Sequence, residues 1–175
     1  MHPVDQVLTR IIASDNRLNY EFKDAMKDYM KAVAFHESKG KYDAIQDIDK
    51  TVMGKKVPWP GVQPGHGRGA YQFEIASIPG HKREGQYAAE TAIRRTIKMY
   101  KKLGFGAKWP QELLESGDYD FSKLKPYQQD ILFIGDKFEA PDTILPDITN
   151  AYLSPDSTKH KEYARIWGEG HFRDK

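Results

Sequence analysis

The sequence contains no cysteine. Disulfide staples, thiolate zinc sites and cysteine nucleophiles are excluded, while the compartment stays open, because a disulfide-free chain can work anywhere. Charge of one sign is also lacking. The 27 Lys and Arg against 25 Asp and Glu leave a net +2 at pH 7, too little to argue for nucleic acid. No apolar run approaches the roughly 20 residues a membrane helix needs. The first residues, MHPVDQVLTRII, have no basic stretch followed by a long apolar one and do not read as a secretory signal. Neither repeats nor low-complexity segments are found. What is present, 39% hydrophobic and 30% charged residues over 175 positions, suits one globular domain, or one domain with a small lobe, able to bury roughly 70% of its unfolded surface.

Apolar residues at Phe22, Met26, Met30 and Val33 step by four, four and three, the rhythm of one helical face, and predict a helix over Asn19 to Glu37. The next step of four lands on Glu37, so a carboxylate sits in line with the buried stripe. Ser38 to Gly40 gives the stop. Residues 1–20 read as an N-terminal extension or a helix. Lys41 to Pro64, with β-branched residues and two prolines around Trp59, reads as an irregular β-like lobe, and Gly65 to Gly69 as a tight turn. Further helices are predicted over Ala88 to Leu103, with Ala89, Ile93, Ile97 and Tyr100 on one face, over Trp109 to Ser116, and from Pro126 through Tyr127, Ile131, Ile134 and Phe138. Gly117 to Leu124 reads as a loop. Asp142 to Tyr152 is expected as a helix kinked or split at Pro146, and the tail from Ser157 as a polar helix around Tyr163, Ile166 and Trp167.

Two stretches suggest chemistry. Burying Glu37 as a charge is costly, so its pKa is expected to rise, which suits a general acid near neutral pH. The alternative is a helix-end carboxylate whose head reaches water. Ser38 can bond the adjacent loop or simply cap the helix. In Gly67 to Phe73 (GRGAYQF) small residues admit a ligand close to the backbone. There Gln72 offers an amide that donates and accepts, and Tyr71 a flat face with a polar tip. The alternative is a plain turn leading into a strand or helix.

Glu-Ser ending a helix, then Tyr-Asp-Ala-Ile, then Gly69-Ala70-Tyr71-Gln72, resembles the lysozyme-like superfamily, and within it the phage lysozymes and lytic transglycosylases of the lambda endolysin type. LKPYQQDILFIGDK, Leu124 to Lys137, is similar to that group's Pro-x-x-Gln-Asp helix behind the site. YARIWGEG, Tyr163 to Gly170, is similar to its C-terminal Ile-Trp segment. The resemblance touches four places between residues 32 and 170 and leaves the first 20 residues outside it. It implies a mainly α, α+β lysozyme-like fold, with a helical domain and a small β or loop lobe flanking a substrate cleft in a single domain over 1–175.

The activity implied is cleavage of the β-1,4 bond between N-acetylmuramic acid and N-acetylglucosamine in peptidoglycan. Glu37 would be catalytic, and Ser38, Asp43, Gly69, Tyr71, Gln72 and Tyr127 would bind substrate. No metal or organic cofactor is implied. A transglycosylase uses the single Glu as acid and then base; a hydrolase usually has a second carboxylate, for which Asp43, Asp47 and Asp49 are the candidates. Tyr42, Trp59, Tyr71 and Tyr127 are candidate stacking faces for sugars, with core packing as the alternative. Lys55, Lys56, Arg68, Lys82 and Arg83 are candidate contacts to an anionic wall, with surface solvation the alternative. The resemblance further implies a phage protein acting in the periplasm or cell wall, released through a holin or carried on a virion among other virion proteins. It implies no stable membrane insertion and no nucleic-acid partner.

Other readings fail or trail. His36-Glu37 begins like His-Glu-x-x-His, but position 40 is Gly. The remaining histidines, at 2, 66, 81, 160 and 171, lack ligand-like spacing. GHGRGAYQ lacks the ending of a phosphate-binding loop. The rival from another class is a non-catalytic wall-binding or virion structural module, which has no need of an acid at Glu37.

Overall fold

A computed structural model describes residues 1–46, 51–52, 55–56, 67–75, 88–141 and 144–173; side chains are described for these except at 51–52, 55–56 and 169–173. Among the described residues the protein is mainly helical. The order is α1 (Pro3–Ser14), α2 (Glu21–Ser38), β1 (Thr51–Val52), β2 (Lys55–Lys56), β3 (Gly67–Arg68), β4 (Phe73–Glu74), α3 (Ala88–Leu103), α4 (Lys108–Ser116), a 3-10 turn (Phe121–Lys123), α5 (Pro126–Phe138), α6 (Leu145–Tyr152) and α7 (Asp156–Arg173).

The N-terminal segment is a helix of the core. His2 caps it, its Nδ1 accepting from the Val4 N–H at 3.2 Å, and Pro3 occupies the first turn, where its missing N–H has no intrahelical partner. Val4, Val7, Leu8 and Ile11 are buried with Phe22, Met26, Met30 and Val33 of α2. An Asp5–Lys27 ion pair ties the two helices together. The stripe read from the sequence is the buried face of α2, and Glu37 follows it half-buried on the last turn.

Helix α5 runs through the centre. Its Ile131, Phe133 and Ile134 belong to the main core, while Leu132 joins Ala89, Ala92, Ile93 and Ile97 of α3 in a second cluster. The buried surface is therefore wider than the single stripe Tyr127, Ile131, Ile134 and Phe138, because neighbours cover both sides. Gly135 permits the α3 contact: a Cβ there would lie 2.3 Å from Thr96 Oγ1. The C-terminal segment is held by Tyr163 and Ile166, both buried, and by Trp167, whose ring stacks on Phe133 at 6.3 Å.

Two expectations are corrected. Pro146 neither kinks nor splits a helix: α6 begins at Leu145, so the proline sits in its first turn, where the absent N–H breaks no hydrogen bond. Gly67 and Arg68 are not part of a turn. They form β3, antiparallel to β4 with Arg68 opposite Phe73, and the turn is 69–72. Segment 44–46 lies along the other edge of β3, with the Gln46 N–H donating to Gly67 O at 3.0 Å and the Gly69 N–H to Ala44 O at 2.8 Å.

Tyr29 is fully buried between Phe133 and Tyr163, with ring centroids at 6.2 and 5.3 Å, and among the described residues its hydroxyl has no hydrogen-bond partner. A buried unpaired hydroxyl costs about 1–3 kcal/mol. Tyr29→Phe is therefore expected to leave the fold unchanged and raise the Tm by about 2–12 °C. A fall in Tm by scanning calorimetry would reveal a partner for that oxygen.

Candidate active site

The last turn of α2 carries Glu37 and Ser38 into a left-handed cap at Lys39, φ 59°, whose N–H bonds Phe35 O. Ser38 Oγ donates to Ala70 O at 2.8 Å and lies 3.1 Å from Ala34 O, and it accepts from the Lys41 N–H at 3.1 Å. One hydroxyl thus joins the end of α2 to the 69–72 turn, 32 positions away. The two stretches singled out in the sequence are in contact.

The turn is tightly built. Gly69 has φ +80°, and its missing Cβ makes room for the Gln129 amide. Gln72, a non-glycine residue, also has φ 54°, in a region such residues rarely occupy and which recurs at functional sites. Its Nε2 donates to Gly69 O at 2.8 Å, so the amide nitrogen expected to face a sugar is engaged by its own loop. The Tyr71 ring is buried and stacked on Phe133 at 4.4 Å, which covers the face expected to meet a sugar. Asp43 is exposed in the 41–46 loop, and Tyr127 is half-buried, edge-on to His2. Arg68 is not solvated on the surface: it is buried, donates to Gly67 O at 2.9 Å and pairs with Asp120. Asp47, Asp49, Trp59, Lys82 and Arg83 lie outside the described residues, and of Lys55 and Lys56 only the backbone is described.

Behind the turn stand Gln129 and Asp130, the Gln-Asp of the Pro-x-x-Gln-Asp stretch expected behind the site, to neither of which the sequence reading assigned a role of its own. Gln129, 1% exposed, accepts from the Ala70 N–H at 3.0 Å and donates to Tyr42 O at 3.0 Å and Leu124 O at 3.1 Å. Asp130 Oδ1 accepts from the hydroxyls of Tyr42 at 2.8 Å and Tyr71 at 2.7 Å. Tyr42, a candidate stacking face, holds its loop to α5 through its hydroxyl. The signal was there: Asp130 precedes Ile134 by four and Gln129 precedes Phe133 by four, so both polar residues fall in line with buried apolar ones. A groove of about 950 Å³ opens here, lined by Ala34, Phe35, Lys39, Tyr42, Tyr71 and Asp130 among others. It begins within one turn of Glu37 along the chain, and Glu37 is not among the residues lining it.

Burial holds the Asp130 carboxyl above the usual aspartate range, against the opposing pull of the Tyr71 and Tyr42 hydroxyls and the His2 charge. Burial beside that carboxylate also pushes both phenols up, so they stay protonated donors. An aspartate with a raised folded pKa stabilises most below its unfolded pKa, near 4. That contribution fades as pH rises through the folded value. The Tm of the wild type minus that of Asp130→Asn is therefore expected to fall between pH 3 and the pH where Asp130 ionises, then level off. A rise over that span would mean that the tyrosine hydrogen bonds outweigh burial.

No protein-family model, curated protein or solved structure matches the chain. Among the described residues no three His, Asp or Glu side chains are placed to hold a metal ion, and no helix is long and apolar enough to cross a membrane.

Proposed function

We propose that the protein cleaves the β-1,4 bond between N-acetylmuramic acid and N-acetylglucosamine in peptidoglycan, as a lytic transglycosylase with Glu37 as its single acid and base. What supports the reading is the Ser38 Oγ to Ala70 O hydrogen bond of 2.8 Å, which holds the helix end that carries the half-buried Glu37 against a strained glycine turn. The Glu37 carboxyl gives its proton to the glycosidic oxygen as the C1–O4 bond breaks, and N-acetylglucosamine leaves with that proton on O4. The carboxylate then takes the proton of the muramic 6-hydroxyl, and O6 bonds C1 to close a 1,6-anhydro ring. No water is consumed and no second carboxylate is required. The Tyr71 ring and the Gln72 amide nitrogen are engaged inside the protein.

Mass spectrometry of digested, purified peptidoglycan tests this. The expected muropeptides end in 1,6-anhydromuramic acid, one water lighter than hydrolysis products. Reducing ends would instead indicate a hydrolase and direct attention to Asp43, Asp47 and Asp49. No release from any of several wall types would overturn the enzymatic reading in favour of a binding or structural module.

A further inference from the structure

We propose that the dipeptide Gln129–Asp130 is the positioning element of this site, fixing loops 41–46 and 69–72 against the last turn of α2 and thereby the place of substrate relative to Glu37. The inference rests on the peptidoglycan reading for its catalytic half.

Ala70 is the central link. Its N–H is held by Gln129 Oε1 from α5, and its carbonyl by Ser38 Oγ from α2. A fully buried peptide is thus clamped on both polar groups by side chains from two helices. The clamp runs from α5 through Gln129, Ala70 and Ser38 to the residue after Glu37. A second tie runs beside it. Gln129 Nε2 donates to Tyr42 O, and Asp130 Oδ1 receives the hydroxyls of Tyr42 and Tyr71, so the same two adjacent residues hold both loops.

Loop backbone buried away from water must find partners, but leucine or methionine in α5 with a differently folded loop would meet that need at less desolvation cost. A fully connected polar network specifies one arrangement instead of many. In an acid-catalysed site, a displacement of about 1 Å can lower the rate about a hundredfold. Gln129 is too deeply buried to touch a glycan and acts only through the loops.

Two measurements test this, and the first is independent of any activity. Gln129→Met keeps the side-chain length and removes its hydrogen bonds. Amide hydrogen exchange at Ala70 is expected to quicken at least about tenfold, with amides of α3 unchanged, since local opening follows lost local bonds. Unchanged exchange at Ala70 would overturn the proposal. The second is steady-state cleavage of soluble peptidoglycan strands at 25 °C. Gln129→Met and Asp130→Leu are expected to lower kcat about 10- to 100-fold with KM within about threefold. Asp130→Asn, whose amide oxygen still accepts from both tyrosines, is expected to keep at least about a third of the wild-type kcat.

A loss of activity that tracks only the unfolded fraction, or Asp130→Asn as slow as Asp130→Leu, would overturn it. If Gln129→Met does not fold, Tyr42→Phe removes one tie and leaves the ring; kcat is expected to fall about threefold, and an unchanged kcat counts against the proposal. A wild type that cleaves no wall overturns the functional reading and the catalytic half of this inference together. Exchange at Ala70 still decides whether the dipeptide holds the loops.

Discussion

Glu37→Gln is expected to slow peptidoglycan cleavage by about 10²- to 10⁴-fold while leaving the fold intact. The amide has the shape of the carboxyl but no proton to give and no base to take one back, and a positioned acid–base group contributes about that factor. The position favours a clean result. Glu37 is half-buried on the last turn of α2, beyond Phe22, Met26, Met30 and Val33, which carry the packing. The Tm is therefore expected to shift by no more than about 2 °C, within the usual range for a substitution away from the core. The informative companion is Asp43→Asn. Asp43 is exposed in the neighbouring loop, and on the single-carboxylate route its loss is expected to raise KM at most and to change the rate at saturating substrate by no more than about threefold. Product release in timed digests checks both. If Glu37→Gln keeps a tenth or more of the wild-type rate, Glu37 is not the acid. If Asp43→Asn is as damaging as Glu37→Gln, two carboxylates are working, as in a hydrolase.

The helices were legible because their apolar residues repeat over several turns. Ala88–Leu103 and Pro126–Phe138 have the bounds their patterns predict, and α2, α4 and α7 differ from theirs by one or two residues at the described ends. The error at Pro146 came from treating an apolar run as helical up to the proline on both sides, when a proline is most at home in a first turn. The region between Glu37 and Ala88 was harder for a physical reason. Its described strands are two residues long, too short for any alternation to register, and pairings such as Ile45 with Arg68 join positions 23 apart in sequence. The candidate site divides in the same way. Glu37 stood out by interrupting a stripe. The ties that arrange its surroundings, Ser38 to Ala70 and Tyr42 and Tyr71 to Asp130, span 32, 88 and 59 positions and leave no local trace. Tyr71 shows the ambiguity of an aromatic in a motif: spacing cannot tell a ring that meets a sugar from one that stacks on Phe133.

Gly69→Ala is expected to destabilise the protein by about 3–5 kcal/mol, a large part of the 5–15 kcal/mol that holds a typical domain folded. Two costs combine. Gly69 has φ +80°, where a residue with a Cβ is strained by about 1–2 kcal/mol. The new methyl would also sit 2.3 Å from Gln129 Oε1 and 3.1 Å from Gln129 Cδ, and must displace that side chain. Gln129 cannot swing aside freely. It is buried, and moving it breaks its bonds to the Ala70 N–H, Tyr42 O and Leu124 O, with about 1–3 kcal/mol for each buried group left unpaired. Gly117→Ala separates the two costs. Gly117 ends α4 with φ +71° and has nothing within 4 Å of its would-be Cβ, so only the backbone strain applies, about 1 kcal/mol and about 3 °C in Tm. Gly69→Ala is expected to lower the Tm by about 10 °C, and at temperatures where it remains folded to cleave at least about tenfold more slowly, since the displaced amide is the one that holds Ala70. Calorimetry of the two variants side by side decides the matter. Equal shifts would mean that Gln129 yields without loss, and the clamp between α5 and the 69–72 turn would then be too soft to position anything.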